Sequence, residues 1–240
     1  MRGKMIVVEG TDCSGKETQT SLLVQRLKKA GRKIERLSFP AYDTPTGKIV
    51  GGPYLGKQYI CDGYFPEGAA NVDPKVAALY YAADRKYNIP KILELLDNGY
   101  DVILDRYVES NMGHQGGKIF DKEERLKLYK DLEYLEYEFL ELPRPDLIIF
   151  LYVPYKKVAE LRAGRDEPAD QHEASPLHIR NAEHAYLELA EIHDYKKIDC
   201  VDKKGKMRNI EDIHEDVYDI VCKKLDISEW FISFFLFEMI

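Results

Sequence analysis

Apolar positions along the chain fall into short continuous runs separated by stretches of helical period. The runs at 5–10, 33–40, 100–105, 146–153 and 196–201 are rich in Ile, Val and Leu and predict strands. Most are apolar at consecutive rather than alternate positions, as a strand covered on both faces requires. Between them, 16–30 carries Leu22, Leu23 and Leu27 and halts at Gly31, a helix stop signal. Helical patterns recur at 74–98, 122–142, 175–194 and 210–225. Strand and helix in alternation predict a parallel sheet with right-handed crossovers, an α/β fold of three layers, α/β/α, around five parallel strands. No repeat or linker divides the chain, so 1–240 is expected to be a single domain.

Two segments do not fit that minimal plan. Residues 51–68 are rich in Gly, Pro and aromatics and predict an ordered loop or insertion. The tail from about residue 228 is nearly all apolar from Trp230 onward, broken only by Ser233 and Glu238. It is far short of the ~20 residues of a membrane span. Packing on its own domain or on a subunit neighbour is the expected fate, with a membrane or partner anchor as the alternative.

Composition narrows the class. Hydrophobic residues make up 45% and charged residues 32% of the chain, enough for a core and too apolar for disorder. A net charge of -7 argues against a broad nucleic-acid surface, while a local pocket for a small anion needs only a few aimed donors. Cys13, Cys61, Cys200 and Cys222 are scattered without metal spacing, which fits reduced thiols in a cytoplasmic protein. The apolar run at 5–8 after Met1-Arg2-Gly3-Lys4 is too short for a secretory signal and is expected to be the first buried strand.

The strongest local signal is Gly10-Thr11-Asp12-Cys13-Ser14-Gly15-Lys16, a G-x-x-x-x-G-K between the first strand and the first helix. Its glycines let the backbone curl so that N–H groups point inward at phosphate oxygens, and the helix N-terminus adds partial positive charge. Lys16 supplies a mobile cation for the β- and γ-phosphates. The ATP-phosphate site is therefore expected at Gly10, Asp12, Cys13, Ser14, Gly15, Lys16, Glu17 and Thr18. Glu17 stands where such loops normally place a Ser or Thr that holds Mg²⁺, and Thr18 points about 100° away along the helix. Glu17 could ligate the metal, point to solvent, or repel nucleotide. Asp105-Arg106-Tyr107 ends the third strand at the carboxyl edge where ligands bind in open α/β sheets. Asp105 is placed to order Mg²⁺ and its waters, and Arg106 to hold an acceptor phosphate bidentately, the alternative being an ion pair at a strand end.

Together these residues resemble the thymidylate kinase family. Glu9 to Lys16 is similar to that family's P-loop, with its carboxylate at Asp12, and Phe39-Pro40 to its acceptor-site turn. Tyr81-Ala82-Ala83-Asp84-Arg85 resembles its aromatic-x-x-x-Arg helix, Asp105-Arg106-Tyr107-x-x-Ser110-Asn111 its third signature, and Leu142-Pro143-Arg144-Pro145-Asp146-Leu147 its entry to the next strand. The likeness runs in order from about residue 4 to about 220. It implies a P-loop kinase fold with a short lid at about 162–174, ATP and Mg²⁺, a homodimer, and transfer of the ATP γ-phosphoryl directly to dTMP in nucleotide biosynthesis.

Residue by residue, the resemblance implies that Asp12 accepts from the deoxyribose 3′-hydroxyl or sits near the acceptor phosphate. Tyr81 stacks on the pyrimidine, Arg85 donates to its O4, Asn111 approaches the base edge, and Arg106 clamps the 5′-phosphate. Phe39, Pro40, Tyr42, His114 and Gln115 fall in the acceptor site as well. Arg162 and Arg165 in Leu161-Arg162-Ala163-Gly164-Arg165-Asp166 would supply charge to the transferring phosphoryl, as in bacterial-type members, and Asp170 and Glu173 match an acidic pair after the lid. Catalysis would thus rest on Lys16, Arg106, Arg162, Arg165 and Asp12. Tyr42 stands where many members carry arginine, and His114 where Tyr or Phe is usual near the sugar. Three other readings remain open at this level: a kinase for dUMP or a 5-modified pyrimidine nucleotide, a homologue weakened by Glu17, or a structural partner that associates through its tail.

Overall fold

A computed structural model describes residues 2–163, His172 and residues 175–227. Five parallel strands form one sheet in the order β2-β3-β1-β4-β5. They are β1 (Met5–Gly10), β2 (Ile34–Ser38), β3 (Asp101–Asp105), β4 (Leu147–Tyr152) and β5 (Lys196–Asp199), each within one residue of its predicted run at the start and two at the end. The continuous apolar runs divide by parity. Met5 and Val7 of β1 join Val102, Leu104 and Phe150 in one core, while Ile6 and Val8 join Ile103, Ile149 and Leu151 in the other.

Helices cover both faces. The even face of β1 is covered by α1 (Lys16–Lys29) through Leu23, Val24 and Leu27; the helix Ile210–Lys224 adds Ile213, Val217 and Val221. The odd face takes α3 (Pro74–Asp97), after a short α2 (Pro45–Ile49), then α4 (Val108–Gly116) and α5 (Lys122–Glu133). After α6 (Tyr155–Ala163), α7 (Pro176–Ile192) packs Ala185, Tyr186 and Leu189 into the same core, and Ile210–Lys224 is α8. Caps follow the local chemistry. Asp73 accepts from the N–H groups of Lys75 and Val76 ahead of Pro74, and Ser175 accepts from His178 N ahead of Pro176. Gly31, at φ 77°, ends α1 as its position in the sequence predicts. No helix among the described residues is long and apolar enough to cross a membrane.

Two departures from the predicted elements bear on the site. The helix predicted over 122–142 changes at Tyr134 into a π-helical turn, Tyr134–Phe139. The wider turn buries two consecutive side chains, Glu136 and Tyr137, each with a polar partner inside the core. The segment 51–68 begins with another π-helical turn, Val50–Tyr54, and carries a small core of its own built on Val50, Tyr54, Leu55, Ala69, Val72 and Ala77. Its glycines permit close packing, since a Cβ at Gly51 would sit 2.5 Å from Ile60 and one at Gly52 2.6 Å from Cys61 Sγ. The expectation of order in this segment holds.

On the first turn of α4, Glu109 accepts from Tyr137 Oη at 2.6 Å and its Oε2 has no partner among the described residues. Burial, with the Glu9 charge adding to it, pushes this carboxyl up to about 7. A folded state that holds its proton more tightly than the unfolded chain gains stability below an ordinary Glu value. It loses that stability as pH rises through about 7. Glu109→Gln is therefore expected to match the natural protein in thermal unfolding near pH ~5 and to exceed it near pH ~8, by up to about 3 kcal/mol. A difference independent of pH would remove Glu109 as the source.

Candidate active site

The P-loop takes its form from two left-handed residues, Cys13 at φ 58° and Gly15 at φ 79°, which turn successive N–H groups to one side. Gly10 is required by contact: a Cβ there would lie 2.4 Å from Ser14 Oγ and 2.7 Å from Leu151 O. Thr11 fastens the loop to the end of β4, its hydroxyl donating to Val153 O and accepting from Val153 N, both at 2.9 Å. Lys16 Nζ folds back onto the Gly10 and Thr11 carbonyls at 3.0 Å. Burial, then Arg106 nearby, lowers its pKa to about 8. A phosphate would replace two neutral acceptors with a charged one. Glu17 and Thr18 lie exposed on the first turn of α1. The buried hydroxyl of that helix end belongs to Thr20, which accepts from Arg36 Nε at 2.7 Å and donates to Lys16 O at 2.8 Å.

Opposite the loop stands Arg106, whose backbone at φ 67° occupies a region few non-glycine residues adopt. Its guanidinium reaches Asp12 Oδ1, Ser110 Oγ and His114 Nε2, each at 3.3 Å. All three contacts are longer than the ~2.7–2.9 Å of a well-made charge-assisted bond. Burial works against this cation, yet Tyr186, Asp12, Glu9 and Asp105 together raise its pKa further. Behind it, Glu9 is fully buried and caps α4 from β1, accepting from Tyr107 N at 2.8 Å, Ser110 N at 3.1 Å and Ser110 Oγ at 2.6 Å. Asp105 is paired with Arg36 Nη2 at 2.9 Å, a partner with no signature in the local sequence.

Arg106, Asp12, Ser110 and His114 face a cleft, open to solvent, whose empty volume is about 560 Å³. Asp12, Phe39, Pro40, Tyr42, Tyr81, Arg85, Arg106, Asn111 and His114 all line it, so nine of the residues expected at the acceptor share one cavity. The Phe39-Pro40 peptide is cis, and Asp84 holds the turn on α3 through Ala41 N at 2.9 Å. At the inner end Arg85 and Glu136 form a buried bidentate pair, with Arg85 Nη1 also donating to Tyr107 O at 3.2 Å. Asn111 Nδ2 donates to Glu136 at 2.8 Å and to Ala78 O at 3.2 Å, which fixes the amide and leaves Oδ1 as an acceptor without a partner among the described residues. Gln115 is not brought into this lining; it is wholly buried on α4. Arg162 lies in the last turn of α6, while Arg165, Asp170, Glu173 and the tail 228–240 lie outside the described residues.

The family model for thymidylate kinase matches residues 8–217. The chain belongs to the thymidylate kinase family. As a thymidylate kinase homologue it is a phosphotransferase of the P-loop class, with the α/β fold and parallel sheet expected from its pattern. It is 31% identical over 226 residues to a probable thymidylate kinase of Pyrococcus abyssi, spanning 94% of this chain and 98% of the relative. A human thymidylate kinase is 29% identical over 216 residues, covering 90% and 88%. Among solved structures, the thymidylate kinase of Candida albicans aligns with a TM-score of 0.69 at 24% identity over 92% and 91% of the two chains, a likeness of fold.

Within this thymidylate kinase homologue, several groups of the site carry no signal in their local sequence. Glu136 and Arg36 each lie among other charged residues of their segments, with nothing local to single them out, and His172 lines the cleft from the segment before α7. Tyr54, from the insertion, bonds His172 Nε2 at 2.9 Å, so the extra segment reaches the acceptor wall.

Proposed function

We propose that this chain transfers the γ-phosphoryl group of ATP to dTMP in one in-line step, giving ADP and dTDP. The observation that carries the acceptor assignment is the pair of groups at the inner end of the cleft. Arg85 spends three N–H bonds on Glu136 and Tyr107 and keeps two others, while Asn111 offers a bare Oδ1. A donor beside an acceptor matches the O4 and N3–H edge of thymine or uracil. Cytosine presents the reverse, an amino donor beside an N3 acceptor, and would leave both protein groups opposed or unpaired.

In the reading supported by this geometry, Lys16 leaves the Gly10 and Thr11 carbonyls for the β- and γ-phosphates, and Arg106 leaves its long contacts for the acceptor phosphate. Asp12 accepts from the sugar 3′-hydroxyl or steadies Arg106, Tyr81 stacks on the base, and Arg162 and Arg165 bring charge to the transferring group. Asp105 and Glu17 carry the hard oxygen donors that Mg²⁺ takes, and they would hold it with waters once Asp105 is released from Arg36. The ion's contribution is to neutralise charge on the β- and γ-oxygens. The four cysteines are all free thiols, in keeping with a cytoplasmic setting. Leu79 and Tyr87, exposed on α3, give a homodimer an apolar surface to bury.

The test is release of ADP across a panel of nucleoside monophosphates with Mg²⁺ present. dTMP and dUMP are expected to turn over, and dCMP to fall in kcat/KM by about 10²-fold or more. Turnover confined to purine monophosphates, or equal for dCMP, would overturn the acceptor assignment.

A further inference from the structure

Three imidazoles converge beside the cleft, two of them, His114 and His172, lining it. His114 comes from α4, His178 from the first turn of α7, and His172 from the segment before it, and their ligand nitrogens lie within 4.8 Å of one another. His114 Nδ1 and His178 Nε2 are 3.2 Å apart, with the rings inclined by only 11°. Two imidazole nitrogens bound to one tetrahedral ion at about 2.0–2.1 Å stand about 3.3 Å from each other. One edge of such a tetrahedron is already in place, and the His172 ring lies 4.3 Å from that of His178.

Tautomers and neighbours sharpen the picture. Tyr54 Oη stands 2.9 Å from His172 Nε2 and donates to Ala69 O at 3.0 Å, so the insertion orients the His172 ring. A ring nitrogen fixed by an oxygen partner is the usual support of a metal-binding histidine. Burial, followed by nearby positive groups, holds His114 and His172 well below their ordinary pKa, so both are neutral at physiological pH. Arg106, Lys16 and Lys118 weaken the field for a cation.

We propose that His114, His172 and His178 form a binding site for a borderline transition-metal dication of the zinc type, separate from the Mg²⁺ that accompanies nucleotide phosphates. Three nitrogen donors select such an ion over Mg²⁺, which takes oxygen. Binding requires one proton to move. Arg106 can only donate, so His114 now accepts at Nε2 and carries its proton on Nδ1, toward His178. The ion takes the Nδ1 position, the proton relocates to Nε2, and the contact with Arg106 is given up. Occupancy is thereby linked to the direction in which Arg106 points.

The test uses the metal-free full chain without nucleotide, titrated with Co²⁺ as a spectroscopic stand-in and with Zn²⁺. One equivalent is expected to bind with a Kd on the order of micromolar, with the visible absorption of tetrahedral cobalt. His178→Gln and His114→Gln should each weaken binding by about 100-fold, and His184→Gln, an exposed histidine on α7, should leave it unchanged. A sulfur-to-cobalt charge-transfer band, or unaltered binding in His178→Gln, would overturn the site. Should those variants not fold, the natural chain decides: Zn²⁺ must raise its melting temperature where equal Mg²⁺ does not, and no shift refutes the proposal.

Discussion

Arg106→Ala is expected to lower kcat/KM for dTMP by about 10³-fold, equivalent to about 4 kcal/mol of transition-state stabilisation. The expectation follows from how loosely the guanidinium is held before substrate arrives. Its three contacts are all 3.3 Å, and its backbone is kept at φ 67° by the hydrogen bond from Arg106 N to Val8 O. A cation aimed into a cleft by a strained backbone, yet poorly satisfied there, has little to lose when a phosphate offers two short bonds. Arg106→Lys keeps the charge and loses the fork, so a fall of about 10²-fold is expected. ATP affinity, set by the P-loop, should change by less than about threefold in either variant. Steady-state kinetics with dTMP, beside equilibrium binding of ATP, separates the two effects. A loss of less than tenfold in Arg106→Ala would mean that another group clamps the acceptor.

The sheet was legible because its strands are buried on both faces, which makes apolar residues continuous and leaves no helical period to confuse them. The P-loop was legible because backbone geometry demands glycine at Gly10 and Gly15, so the need appears in the residue type. Helix α4 escaped the same reading. Glu109, Ser110, Asn111 and Gln115 are all buried, and a helix that hides polar groups shows no apolar stripe. Its chemistry was visible only through likeness to a family motif. The partners of that chemistry were not visible at all. Glu136 lies 51 residues from Arg85, Tyr54 lies 118 from His172, and each is an ordinary residue in its own segment. Side-chain pairing across a fold leaves no local period, so the wall of the acceptor cleft had to be seen in space.

The buried Arg85–Glu136 pair carries the other large effect, on stability. Both side chains are almost wholly enclosed, at 2% and 0% exposure, and Glu136 also accepts from Asn111. Glu136→Leu would leave the guanidinium buried without its counterion and remove one of the two groups that orient Asn111. The expected loss is about 3–5 kcal/mol in denaturant unfolding. Arg85→Met combined with Glu136→Leu should regain most of that loss, because an apolar pair of similar volume avoids desolvating two charges. The double variant is then a folded protein whose inner cleft can neither donate to O4 nor hold Asn111 in place. It should bind ATP normally and lose preference among the pyrimidine acceptors. That outcome would show that the pair is kept for recognition rather than for stability. If Glu136→Leu instead cost less than about 1 kcal/mol, the charge on Arg85 would have to be satisfied by solvent entering the cleft, and the account of a dry, pre-oriented base edge would fail.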